Sequence, residues 1–190
     1  VMQVAKLYKK ICEEYEVQAQ NAAFDGSGGG IAFGALLSEL WSSRLLSVQF
    51  GGAASERIAT LKDPRPAKQV YVNRVSELWF AMLEYVHSGQ VKGLDVLAAR
   101  ELSERRYDTS KTSGGIRLKV ETKDDMKKRI QRSPDDADCV AILIELVRDR
   151  HGFLPIGLEG RRMEIRDSWK DKAKKVNQVY NNVQYAEEIA

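Results

Sequence analysis

The chain has 190 residues, 43% hydrophobic and 30% charged. That is enough for one domain with an ordinary core plus a tail, and it is not the composition of a disordered chain. The net charge of +3 is compatible with a nucleic-acid partner but does not require one.

The two cysteines, Cys12 and Cys139, read as buried free thiols, because no Cys-x-x-Cys or Cys/His cluster offers a zinc pattern. The longest apolar run, Cys139 to Val147, is short and contains Glu145, so no membrane span is expected. With no secretory leader in view, the expected compartment is the cytoplasm of a host cell. The chain enters a helical pattern directly after Val1, as a piece of a longer protein would.

Taken in order, Val4, Leu7, Tyr8, Ile11 and Tyr15 recur at helical spacing and predict an amphipathic helix over residues 2–16. Val17 to Phe24 reads as a strand ending at Asp25, and Gly26-Ser27-Gly28-Gly29-Gly30 as a tight turn. A helix from Ile31 to Trp41 and a strand from Leu45 to Phe50 follow, and residues 53–68 read as irregular. Val70 to His87 is a strong helical pattern stopped by Ser88-Gly89, and Asp95 to Arg106 is another. Ile116, Leu118 and Val120 alternate with charged residues in a half-exposed strand. Thr122 and Ser133 read as caps of two helices, one ending near Ile130 and one carrying Val140 to Val147. Residues 151–160 are punctuated by Gly and Pro. The tail from Arg161 is basic, then helical by the spacing of Trp169, Val176, Val179, Tyr180 and Val183. Strands alternating with helices make the class α/β, with a domain over 1–150 and a tail over 151–190.

The glycine turn lacks the lysine of a phosphate-binding GxxxxGK loop and fails the GxGxxG spacing. What remains is Asp25 at the carboxyl end of a strand, where open α/β sheets place ligands, although an aspartate there also serves the turn alone. Further along, Ser133-Pro134-Asp135-Asp136-Ala137-Asp138 puts three acids in four positions. Asp135 and Asp136 suit a helix start, and Asp138 shares a face with Asp135. Carboxylates alone would suit magnesium or manganese rather than zinc. Solvated helix acids are the plainer explanation. Lys123, Lys127, Lys128, Arg129 and Arg132 precede these acids, and Arg117 and Lys119 extend the basic patch. Such a patch is either a solvated face or a phosphate contact. His87 and His151 are single histidines at element ends with no partner pattern.

Several of these segments together resemble the nuclease domain of phage terminase large subunits. Asp25 to Gly30 is similar to the family's strand-end acid and glycine turn, and Val48-Gln49-Phe50-Gly51-Gly52 to its next strand. Tyr71-Val72-Asn73-Arg74-Val75-Ser76-Glu77-Leu78-Trp79 resembles one of its helices. Glu101-Leu102 with Tyr107, then Lys123 to Arg129, then Ser133 to Asp138, follow in the family's order. The resemblance covers about residues 17–148 and lies in order and spacing rather than in any one motif.

The resemblance implies an RNase H-like nuclease fold, a central mixed sheet flanked by helices. It also implies a DNA-packaging endonuclease that cuts concatemeric double-stranded DNA with two Mg2+ or Mn2+ ions. Asp25 and Asp138 would be catalytic metal ligands and Asp135 an auxiliary one. Lys119, Lys123, Lys127 and Arg129 would contact DNA. The implied partners are double-stranded DNA, the terminase ATPase domain, the small subunit and the portal protein.

The chain departs from the family at one place. The family's first carboxylate sits on a strand before the opening helix, where this chain has only the helical Glu13, Glu14 and Glu16. The N-terminal strands are therefore expected to be missing and cleavage to be weak. Two alternatives are a non-catalytic DNA-binding or portal-docking module, in which the basic tail would serve docking, and another RNase H-like nuclease such as a resolvase or transposase.

Overall fold

The computed structural model describes residues 1–112 and 114–156. It is a mixed α/β chain. Helix α1 (Met2–Glu14) ends where Glu16 takes a left-handed φ of 54°. The expected strand over 17–24 is mostly replaced. Residues Ala19–Asn21 form a 3₁₀ turn, and only Ala23–Asp25 extend as β1. The polar run Gln18 to Asn21 has no alternation to hold it in a sheet, and its backbone closes on itself, with the Asn21 N–H donating to the Gln18 carbonyl at 2.8 Å.

Helix α2 (Gly30–Leu40) leads to β2 (Leu46–Val48), which pairs parallel with β1. The register sets Ala23 against Leu46 and Asp25 against Val48. This is one βαβ unit, the crossover a parallel pair requires.

The span expected to be irregular contains an antiparallel hairpin, β3 (Ile58–Thr60) with β4 (Asp63–Pro66), and a short helix α3 (Ala67–Val70). Two prolines in β4 hid it, since proline is tolerated only at such edges. The helix expected over 70–87 is interrupted. Tyr71 and Asn73 are extended, and the Val72 N–H between them donates to the Leu118 carbonyl at 3.0 Å. Helix α4 (Arg74–His87) then restarts under the cap of Asn73, whose Oδ1 accepts from the Ser76 N–H. Asp95 likewise caps α5 (Val96–Glu104) through the Leu97 N–H at 2.8 Å.

Strand β5 (Tyr107–Thr112) was not anticipated. It pairs along its full length with β6 (Gly115–Val120). Its residues Tyr-Asp-Thr-Ser-Lys-Thr offer almost no apolar alternation, and cross-strand pairing makes the strand. Thr122 caps α6 (Lys123–Ile130) as expected, accepting from the Asp125 N–H at 3.1 Å and donating to its carboxylate at 2.7 Å. Helix α7 (Asp135–His151) begins without a side-chain cap from its own flank.

Among the described residues the six strands form three separate two-stranded sheets rather than one central sheet. The main core gathers Leu78, Trp79, Phe80, Met82 and Tyr85 of α4 with Val120 of β6 and Ala137, Ala141 and Ile144 of α7. A second, smaller cluster joins Ala5 and Cys12 of α1 to Leu37 of α2. Cys12 is buried, but Cys139 is exposed, because it points off the face of α7 that meets the core. No described helix is long and apolar enough to cross a membrane. The basic stretch from Arg161 and the helical pattern over 169–183 lie outside the described residues.

Candidate functional site

Asp25 closes β1 at the carboxyl end of the parallel pair and is exposed. Its Oδ1 accepts the Ser27 N–H at 2.8 Å, so the side chain also shapes the turn. Of the glycines after it, Gly30 is forced by space and Gly28 by its left-handed φ of 52°. A Cβ on Gly30 would stand 1.8 Å from the Asp25 carbonyl oxygen, and one on Gly26 would stand 2.0 Å from Ser47 Oγ. The Gly26 N–H meanwhile continues the ladder to the Val48 carbonyl at 2.8 Å.

The other acids lie at the start of α7. Lys123, the first residue of α6, reaches Asp138 Oδ2 at 2.5 Å and Asp135 Oδ1 at 3.3 Å. The shared face expected of Asp135 and Asp138 is therefore real, and an ammonium bridges them. Their environments differ. The Asp138 side chain is 15% exposed and that of Asp135 75%. Burial raises the Asp138 carboxyl above its ordinary range, outweighing the nearby Lys123 and Arg105 cations. Asp135 is lowered, first by the hydrogen bond from Ser133 Oγ and also by Lys123. Arg105 is itself buried, stacked 4.2 Å above the Trp79 ring and donating twice to the Glu121 carbonyl.

The start of α7 takes its cap from another helix. Glu101 of α5, 1% exposed, accepts the Ala137 N–H at 2.8 Å and faces Arg132 at 3.3 Å. Burial pushes this carboxyl up, and the amide and Arg132 hold it down in part. The cap expected of Ser133 is thus supplied by Glu101, while Ser133 donates to Asp135.

Among the described residues no group of three or more His, Cys, Asp or Glu is placed to hold a metal ion. Lys123 brings Asp135 and Asp138 together, and the two form no such group with Asp25. Of the predicted phosphate contacts, Lys119 and Lys127 are exposed. Lys123 is held by the two aspartates. Arg129 is held by the Glu104 carbonyl at 2.6 Å and by Glu121.

Sequence reasoning missed the most buried charges. Glu77, 1% exposed, accepts from the Ser55 N–H and Oγ at 2.7 Å each and pairs with Arg74 at 2.7 Å and Arg148 at 2.8 Å. Glu145 pairs with Arg74, Arg148 and Arg57, and Arg57 also reaches Asp149. Burial alone would raise the Glu77 carboxyl, but the Ser55 amide and Arg74 bring it down to about 2. The visible signal was the i,i+3 spacing of Arg74 to Glu77 and of Glu145 to Arg148 inside apolar helices.

This network borders a cleft of about 340 Å³ lined by Ser47, Val48, Gln49, Arg74, Glu145 and Asp149, among others. Val48 is the register partner of Asp25. Helix α7 therefore carries one acidic pair at its start and another in its second half. Asp138 and Asp149 are separated by about 16 Å of helix axis.

Compared with known proteins, the chain matches no family model, no curated protein and no solved structure.

Proposed function

We propose that this chain is the nuclease part of a phage-type terminase large subunit, an RNase H-like, metal-dependent endonuclease of double-stranded DNA. The observation that carries the reading is Asp25, at the carboxyl end of a parallel βαβ pair and followed by a turn in which Gly30 lies against the Asp25 backbone oxygen. Ligands of open α/β sheets bind at that edge. The ordered segments from Asp25 to Asp138 support it, as does the pairing of Asp135 with Asp138.

On this reading Asp25 and Asp138 are the catalytic carboxylates, Asp135 assists, and Lys119 and Lys127 meet phosphates, with Lys123 and Arg129 behind them. Oxygen donors suit Mg2+ or Mn2+. The described carboxylates nevertheless do not complete a metal site, because they form no group of three and Lys123 already neutralises Asp138. The reading therefore requires a further carboxylate from outside the described residues. In the parent assembly the partners would be the ATPase domain, the small subunit and the portal protein, in the host cytoplasm.

Plasmid nicking with Mn2+ tests this. The 190-residue chain is expected to bind duplex DNA with affinity that falls as salt rises. Replacing both Lys119 and Lys127 by Ala should shallow that salt slope by about 2. Nicking should be slow and disappear in Asp138→Ala. Fast nicking lost in Asp138→Ala would keep the site and remove the need for another ligand. Nicking indifferent to both Asp25→Ala and Asp138→Ala would overturn the site.

One observation favours a second reading, a DNA-binding module without catalysis: the Lys123 ammonium stands between Asp135 and Asp138. On that reading the chain binds DNA but shows no Mn2+-dependent nicking.

A further inference from the structure

The acidic pair at the start of α7 already holds a cation. The Lys123 Nζ stands 2.5 Å from Asp138 Oδ2 and 3.3 Å from Asp135 Oδ1. Both carboxylates are set in place by other groups. Glu101 accepts the Ala137 N–H, which lies between them in the chain, at 2.8 Å, and Ser133 Oγ donates to Asp135 at 2.5 Å. The base of the lysine is fixed as well. The Glu121 carbonyl accepts from Nε and Nη2 of the buried Arg105 at 3.1 and 2.8 Å. The Glu121 carboxylate accepts from Arg129 and from the Arg106 N–H. Thr122 then caps α6 one residue before Lys123. What is left to move is the flexible stem of Lys123, whose side chain is 40% exposed.

We propose that Lys123 is a tethered competitor of divalent cations. Seated between Asp135 and Asp138, it keeps Mg2+ or Mn2+ out, and on leaving it frees the pair for the ion and its own ammonium for a DNA phosphate. The inference rests on the nuclease reading for the nature of the competing ion. It also gives the misfit between the described carboxylates and a metal site a second cause, since the pair is occupied as well as incomplete.

Electrostatics sets the direction. A positive charge within 4 Å of both carboxylates offsets much of their attraction for a second cation. The tether gives the ammonium an effective concentration in the millimolar range, and magnesium gives up its water reluctantly for one or two carboxylates. A lysine suits the exchange because its ammonium is a point charge on a flexible stem. An arginine would keep the charge and hold a carboxylate through a planar fork.

Binding of Mn2+ alone to the full 190-residue chain, read from the paramagnetic resonance of the free ion, tests this without DNA. Lys123→Met should tighten Mn2+ binding about tenfold, whereas Lys123→Arg should leave it no tighter than in the unaltered chain. Adding Asp138→Asn to Lys123→Met should abolish the gain. Circular dichroism checks that each variant is folded. A second measurement needs no variant: Mn2+ should raise the acetylation of Lys123 relative to that of the exposed Lys127, counted by mass spectrometry. The proposal is overturned if Lys123→Met binds Mn2+ no more tightly than the unaltered chain. A gain that survives Asp138→Asn also overturns it, because the ion then sits elsewhere, as does an acetylation ratio that saturating Mn2+ leaves unchanged. Nicking lost in Asp138→Ala with no gain in Lys123→Met would keep the nuclease and refute the competitor. The gain without any nicking would keep the competitor and refute the nuclease.

Discussion

Glu77 shows how much one buried carboxylate can hold. Three elements converge on it: the loop at Ser55, its own helix through Arg74, and α7 through Arg148. Removing one member of such a group leaves the others charged and dry, which costs about 3–5 kcal/mol. Glu77→Gln should therefore lower the unfolding free energy at pH 7 by about 3 kcal/mol, read from urea denaturation. The sign with pH follows from the same contacts. The folded carboxyl sits at about 2, below an unfolded value near 4.3. Its contribution is complete above about pH 4.3 and is lost as pH falls toward 2. The acid limb of stability between those values should be shallower in Glu77→Gln. An equally steep limb in the variant would show that other groups govern it.

The glycine turn between β1 and α2 makes its argument at the element scale. Gly29 and Gly30 are adjacent and look equivalent in sequence, yet a Cβ on Gly29 meets nothing within 4 Å and one on Gly30 meets the Asp25 backbone oxygen. Gly30→Ala must move backbone, and it should cost about 1–3 kcal/mol and disturb the position of Asp25. Gly29→Ala should stay within about 0.5 kcal/mol of the unaltered chain. Thermal unfolding of the two variants side by side reads the contrast, and equal melting temperatures would remove the steric account. The same scale explains α7. Its N-terminus relies on Glu101 from α5, so the helix begins where a neighbour can accept its amides, not at its own Ser133.

Across the whole molecule the two apolar clusters differ in weight. The larger one binds α4, α7 and β6, while the smaller one rests on a few residues of α1, α2 and the start of β1. Local stability follows buried contact, so α1 and α2 should exchange amide hydrogens through smaller openings than α4 and α7. Native-state exchange at low denaturant concentration measures this, and a single shared opening energy would contradict it. The predicted DNA contacts also divide at this scale. Lys119 and Lys127 remain on the surface, whereas Lys123 and Arg129 are drawn into ion pairs that tie α6 to its neighbours.

What the sequence determined by itself was local. Helical spacing placed α1, α2, α4, α5, α6 and α7 to within a few residues, and the expected cap Thr122 lies at the start of its helix. The shared face of Asp135 and Asp138 was legible because three residues along a helix fix an angle. Strand β5 and the β3–β4 hairpin were not legible, since their residues earn extended structure only from a partner strand. Nor were the Glu77–Arg148 contact across 71 positions and the Arg57–Glu145 contact across 88. Those depend on where α7 crosses the parallel pair and α4, and that crossing is set by the buried faces of several elements packing at once.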